Sequence, residues 1–344
     1  MAPRYIIHIG PMKTASTYVQ QCLTEGRDEL LAQGICYPEE FIAENNGLMH
    51  IPIFHALLRR RADSLAPKFA RLNAQGHKTI LLSCEHFHFL PPDALRKLRD
   101  LTGAYDIQVV YTARRWSDRI GSLWNHSIFT GGQQSLPEFY ISLMAGETLN
   151  YYAKWMKELG VAPDLDYSQT WDTIADIFSR DAVTIFPYSA IMDRGEDVFE
   201  AFCRDILGVA AAPKTRLTGQ RRWASMPTDT QEIVRVLNEL HRAATGDDNG
   251  VMSVKFMRNR KKLTTELTVA AIASETKRLT LDDRTTQFDA AFAAMHAYTD
   301  RVAGGGPIFE RAAKAVPYVR PGYMLQDGVR EEIQEIYHRL SADV

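Results

Sequence analysis

The segment Tyr5-Ile6-Ile7-His8-Ile9-Gly10-Pro11-Met12-Lys13-Thr14-Ala15-Ser16-Thr17-Tyr18 constrains the fold more than any other stretch of this chain. An apolar run of strand length ends in a glycine turn. Helical periodicity then runs from Ser16 through Leu31, until Gly34 stops it. A buried strand, a tight turn and a helix in that order aim turn amides and a helix N-terminus at one place, and a lysine there adds a full positive charge. The segment reads as a phosphate cradle built from Gly10, Lys13, Thr14, Ala15, Ser16 and Thr17. The ATP- and GTP-binding form of such a loop is G-x-x-x-x-G-K-[ST]. Here one glycine precedes the lysine by three positions and Ala15 follows Thr14, so the loop is a relative of that form and not an instance of it.

Further strand signals alternate with helical ones. Thr79 to Ser83 and Val183 to Phe186 are apolar runs of strand length, and Ile107 to Ala113 is rich in β-branched residues. Pro91 and Pro92 open an amphipathic helix to Leu101, Trp116 to Ile128 has helical periodicity, and another helix lies around Val198 to Ile206. Strands separated by helices predict a parallel sheet with right-handed crossovers, and such a sheet gathers ligand groups at the carboxyl ends of its strands. The expected fold is α/β: a P-loop-like three-layer arrangement with a parallel central sheet flanked by helices, plus a mostly helical C-terminal part. The expected division is an α/β core over 1–210 and a helical extension over 211–344 packed on the same domain.

Composition narrows the function classes. The chain has 344 residues, 45% of them hydrophobic, which is enough for one large α/β domain or for a domain with a helical extension. A formal net charge of -2 gives no reason to expect general binding to nucleic acid or to anionic membrane, so any basic site must be local. No segment approaches the roughly 20 apolar residues of a spanning helix, and the N-terminus lacks the form of a signal peptide. The four cysteines, Cys22, Cys36, Cys84 and Cys203, are scattered without any C-x-x-C pair, and read as reduced core residues of a cytoplasmic protein. Nothing in the chain has metal-ligand spacing.

The strand Ile107–Ala113 delivers Arg114, and Ser122 follows eight residues later, about two turns into the next helix. A guanidinium and a hydroxyl so placed can converge on one anion. Two anion sites on one sheet suggest one ligand with two phosphates. Arg114 also fits a solvated helix start beside Arg115 and Arg119. His8, inside the first strand, reads as a core histidine satisfied by hydrogen bonds. His50 and His55 fit either an acceptor pocket or packing.

On these residues the chain resembles the sulfotransferases that use 3′-phosphoadenosine 5′-phosphosulfate (PAPS). Lys13-Thr14-Ala15-Ser16-Thr17 is similar to that family's loop for the 5′-phosphosulfate, and Arg114 with Ser122 to its 3′-phosphate pair. The start His-Ile-Gly-Pro-x-Lys-Thr, together with Gly34-Ile35-Cys36-Tyr37-Pro38 and Ser83-Cys84-Glu85, looks like the bacterial carbohydrate-type branch. Trp171 to Phe178 and Arg216 to Asn238 are similar to that branch as well. The resemblance spans residues 4 to 240 and implies a PAPS-dependent sulfotransferase acting on a hydroxyl or amine, of a saccharide or glycoconjugate. By resemblance, Lys13 neutralises charge on the oxygen bridging phosphate and sulfur, while Thr14, Ser16 and Thr17 hold the 5′-phosphate. PAPS would be the co-substrate, with no metal.

A general base is needed near the sulfur, and Glu85 and His86 follow the second strand at the edge where the sheet presents its ligands. Glu85 ranks first, although it also fits a capping or solvated acid. The chain departs from the cytosolic branch in two places. Ala15 stands where that branch has glycine, and an alanine is unstrained there only at negative φ. The glycine-rich segment that closes over PAPS has no clear counterpart, and Arg221, Arg222 and Ser225 are the candidates to replace it. Two other readings of the same residues are a nucleotide-dependent kinase and a non-catalytic module that binds PAPS or its product.

Overall fold

The computed structural model describes residues 3–42, 47–103, 106–145, 166–217, 228–246, 276–320, 322–323 and 326–342. The chain groups into two compact units. The first comprises Met1–Arg115, Asp164–Arg222 and Arg284–Arg311, and the second Trp116–Pro163, Trp223–Asp283 and Ala312–Val344.

The first unit is built on a five-stranded sheet of β1 (Arg4–Ile9), β2 (Ile35–Cys36), β3 (Thr79–Ser83), β4 (Ile107–Ala113) and β5 (Val183–Pro187). The strand order is β2-β3-β1-β4-β5, and every neighbouring pair is parallel. The four longer strands coincide with the four apolar runs. β2 has only two residues, too few for periodicity to register. α1 (Ser16–Glu25) and α2 (Arg27–Ala32) follow β1, α3 (Ile51–Leu58) and α4 (Ala66–Ala74) follow β2, and α5 (Pro92–Thr102) links β3 to β4.

Alternation along the central strands sorts the core onto two faces. Ile6, Leu81 and Val110 pack with Val19 and Leu23 of α1, and with Phe186, Phe199 and Phe202. Residues one position away face an aromatic layer instead: Tyr5 stacks on Phe69 with ring centroids 6.2 Å apart, and Tyr111 meets the Trp171 edge at 5.6 Å. This is the period-two logic of a sheet covered on both faces. β1 therefore sits at the centre, and the chain builds β2 and β3 on one side of it before crossing to β4 and β5 on the other. Such a reversal opens a crevice at the carboxyl end of the central strand. Because all five strands are parallel, the segments after β1, β3 and β4 emerge at that same edge.

The second unit contains α6 (Trp116–Phe129), the helices Leu136–Met144, Thr228–Thr245 and Asp327–Ala342, and an antiparallel pair, β6 (Thr276–Asp282) with β7 (Ala313–Val319). Ile233, Val236 and Leu237 pack with Val319, Ile333, Ile336 and Leu340 in its core. Asp283, fully buried, accepts from the Ser117 backbone N–H at 2.7 Å and from the Ser117 hydroxyl at 2.9 Å. It thereby caps the first turn of α6, where backbone donors lack intrahelical partners. Among the described residues, no helix is long and apolar enough to cross a membrane.

Candidate active site

The loop after β1 is held by close approach and by backbone strain. A Cβ on Gly10 would stand 3.0 Å from the Thr112 backbone nitrogen, so β4 excludes any side chain there. Lys13 has φ 70° and Ala15 φ 62°, two left-handed residues within three positions and neither of them glycine. The condition for an unstrained alanine is thus not met. Ala15 takes the conformation glycine would adopt freely, at a cost of roughly 1–2 kcal/mol. Strain of this kind persists only where its surroundings enforce it, and it concentrates at ligand sites.

Ala15 is the N-cap of α1 and offers no side-chain cap, so the first backbone donors of the helix are not consumed by one. Ser16 is buried and Thr17 exposed. The Thr14 hydroxyl is turned inward and donates to the Pro11 carbonyl at 2.8 Å, which braces the turn. Its backbone amide remains the group that it can present to a ligand.

Two cations meet over this loop. Arg114, at the end of β4, donates from Nη1 to the Lys13 backbone carbonyl, and its guanidinium lies 5.2 Å from the Tyr188 ring centroid. Its own carbonyl accepts the Tyr167 hydroxyl at 2.8 Å. The Nε of Arg114 is buried with no hydrogen-bond partner among the described residues. Nor do the described residues give the Lys13 ammonium any hydrogen bond or ion pair. Burial pushes the pKa of Lys13 down, the neighbouring Arg114 charge adds to that, and Glu85 opposes it. Positive charge without a paired carboxylate, in partial burial, is costly unless an anion completes it.

Glu85 opens the 3₁₀ turn Glu85–Phe89 directly after β3 and is 8% exposed. Its Oε2 accepts from the side-chain nitrogen of Gln20 at 2.8 Å. His86 is half-buried, with its ring 5.4 Å from that of Phe54 and its Nδ1 4.0 Å from Cys84 Sγ. Burial lowers the His86 pKa, Glu85 opposes the shift and His55 adds to it. The loop after β1, Glu85 after β3 and Arg114 after β4 thus share one edge of the first unit, and the Glu85 charge is felt at Lys13.

Ser122 lies in α6, about two turns beyond Arg114 in the chain and in the second compact unit. Arg221, Arg222 and Ser225 lie outside the described residues. His8 is the buried, hydrogen-bonded histidine expected, with Nδ1 2.8 Å from Ser83 Oγ and Nε2 2.9 Å from Thr112 Oγ1. His50 is structural: its Nδ1 accepts the Ser83 backbone N–H at 2.8 Å and its Nε2 donates to Pro38 at 3.0 Å.

Tyr188 and Gln20 escaped the sequence reading. Gln20 left a faint mark, since it sits on the buried stripe Ser16, Val19, Gln20, Leu23 of α1, where an apolar residue is the rule.

The fold and the site together define an α/β protein whose central-strand loop brings two cations together within reach of the Glu85 charge. No family model and no curated protein matches the chain. Among solved structures it is similar to a sulfotransferase from Alicyclobacillus acidocaldarius, at 17% identity and a TM-score of 0.38, over 79% of this chain and 98% of that one.

Proposed function

We propose that this chain is a PAPS-dependent sulfotransferase acting on a hydroxyl or amine, of a saccharide or glycoconjugate. The observation that carries the reading is the cation pair: Lys13 with no side-chain hydrogen bond or ion pair among the described residues, and Arg114 bonded to the Lys13 carbonyl with a buried, unspent Nε. Both stand at the uncapped N-terminus of α1. A ligand with anionic oxygens satisfies the orphaned donors and removes the repulsion between the cations together.

PAPS supplies an activated sulfuryl group, whose transfer forms an oxygen–sulfur bond to the acceptor and breaks the one to the bridging phosphate oxygen. The electron pair stays on that bridging oxygen, and Lys13 neutralises the charge that gathers there. The turn amides from Thr14 to Thr17 hold the 5′-phosphate, and Arg114 supplies directed donors to the 3′-phosphate. Glu85 takes the proton that the acceptor gives up. It is favoured over His86 because the Glu85 charge acts on Lys13 and its carboxylate is held by Gln20, whereas His86 packs on Phe54.

Isothermal titration tests the reading. The chain is expected to bind 3′,5′-diphosphoadenosine at least tenfold more tightly than ATP, about 1.4 kcal/mol. A preference for ATP refutes the sulfotransferase and leaves the kinase. Binding of the diphosphate with no sulfate transfer to any of a panel of sugars, lipids and phenols leaves the non-catalytic module.

A further inference from the structure

We infer that Gln20 is the positioning residue for Glu85, anchored through a buried hydrogen-bond chain that crosses the sheet from β3 to β4. The inference rests on the reading of Glu85 as the base. Gln20 is fully buried in α1, and its side-chain nitrogen donates both to Glu85 Oε2 at 2.8 Å and to Ser83 Oγ at 3.2 Å. Ser83 Oγ lies 2.8 Å from His8 Nδ1, and His8 Nε2 lies 2.9 Å from Thr112 Oγ1. Five side chains, from the turn after β3, α1, β3, β1 and β4, are thereby tied in series, and Thr112 stands two residues before Arg114.

The donors and acceptors fix the direction of the two links that Gln20 makes. An amide nitrogen has only protons to give, so Glu85 and Ser83 Oγ both accept from Gln20. The single Ser83 proton goes to His8 Nδ1 or to the Tyr37 phenol oxygen, which the Ser83 side chain also meets; the His8 proton sits on Nε2 in the first case and on Nδ1 in the second. Burial pushes the His8 pKa down to about 4. The imidazole is therefore neutral near pH 7, and either tautomer satisfies both its neighbours.

The Gln20 carbonyl oxygen supports the assignment. Oε1 is buried with no hydrogen-bond partner among the described residues. An orphaned buried carbonyl costs roughly 1–3 kcal/mol, and the reversed amide would set that oxygen against the Glu85 carboxylate, acceptor to acceptor. The side chain accepts the orphan because both of its N–H groups are spent on Glu85 and Ser83. The charged and titratable groups around Glu85 are Lys13 in the loop after β1, Tyr37 after β2, and Cys84 and His86 beside it. Gln20 supplies Glu85 with an uncharged donor among them.

The test compares Gln20→Met, Ser83→Ala, Glu85→Gln and the double variants. Affinity for 3′,5′-diphosphoadenosine is read by titration. Turnover is read as release of that product from PAPS, with a pool of methyl glycosides and with water alone. Gln20→Met is expected to bind within about threefold of the parent and to lose roughly ten- to a hundredfold in kcat. In the Glu85→Gln background it should cost nothing further, because a residue acting through Glu85 has no effect once Glu85 is gone. Where Gln20→Met does not fold, Ser83→Ala carries the same comparison with a smaller loss. Parental turnover by the variant, or an equal loss with and without Glu85, overturns the role of Gln20 while the sulfotransferase stands. A parent protein that binds no 3′,5′-diphosphoadenosine, or never turns PAPS over, overturns both.

Discussion

Arg114 donates a hydrogen bond to the backbone carbonyl of Lys13, so the cation at the end of β4 is fastened to the residue that carries the other cation. The bond fixes two like charges beside each other, and the Lys13 pKa falls partly for that reason. The first prediction is a trade between stability and binding. Lys13→Met keeps the side-chain length and removes a partly buried cation, so it is expected to stabilise the free protein by about 1 kcal/mol, a rise of a few degrees in Tm. The same variant, and Arg114→Ala, should bind 3′,5′-diphosphoadenosine roughly a hundredfold more weakly. Thermal melts and titration check both halves. A Lys13→Met protein that melts lower and binds normally contradicts the cation-pair reading.

Ala15 supports a second prediction. Its φ of 62° is held at the N-cap of α1. Ala15→Gly removes roughly 1–2 kcal/mol of left-handed strain and adds about 0.5–1 kcal/mol of unfolded-state entropy. The net expectation is stabilisation by up to about 1.5 kcal/mol with diphosphate binding within twofold of the parent. Ala15→Val, whose branched Cβ tolerates this region poorly, should lower both. Chemical denaturation of the three proteins decides the matter, and a Gly variant less stable than the parent shows that the strain estimate is wrong.

The sheet was legible because four of its strands are apolar runs flanked by glycine, proline or helical periodicity. β6 and β7 were not. Thr-Lys-Arg-Leu-Thr-Leu-Asp and Ala-Lys-Ala-Val-Pro-Tyr-Val are polar and largely exposed, so no alternation marks them, and Pro317 argues against a strand. Of the proposed site, Gly10, Lys13, Arg114 and Glu85 could be picked out from the sequence because each follows a readable strand. The sequence stated the condition on Ala15 but could not supply the angle. Gln20 was hidden for another reason. Its partner Glu85 lies 65 residues away, and a buried donor–acceptor pair leaves no periodic trace.

Cys22, Cys36, Cys84 and Cys203 are all free and buried, and burial raises the pKa of each thiol, to about 12 for Cys203. The thiolate is the reactive form. A disulfide-exchange reagent such as 5,5′-dithiobis(2-nitrobenzoate) is therefore expected to react with the native protein at least tenfold more slowly than with the unfolded chain. In denaturant all four thiols should titrate, without prior reduction. Rapid labelling of a native thiol would show a cysteine exposed by opening of the fold, and fewer than four in denaturant would show a disulfide.

The buried histidines set the response to acid. Burial lowers the His8 pKa to about 4 and the His50 pKa to about 3, against 6.5 for an ordinary histidine. Above pH 6.5 both are neutral in folded and unfolded chains, and neither contributes a pH slope. Below that value the unfolded chain binds protons that the folded chain refuses, so stability falls as pH falls. The loss continues until the folded imidazoles titrate, near pH 4 for His8 and pH 3 for His50. At roughly 1.4 kcal/mol per pKa unit, His8 alone withdraws on the order of 3 kcal/mol. Thermal melts from pH 8 down to pH 4 should show a Tm that is level above about pH 7 and declines steeply below it. His8→Asn, which removes one of the two groups, should start from a lower Tm and decline less. A Tm that is level from pH 7 to pH 4, or an Asn variant with the slope of the parent, would show that His8 is not held neutral by burial.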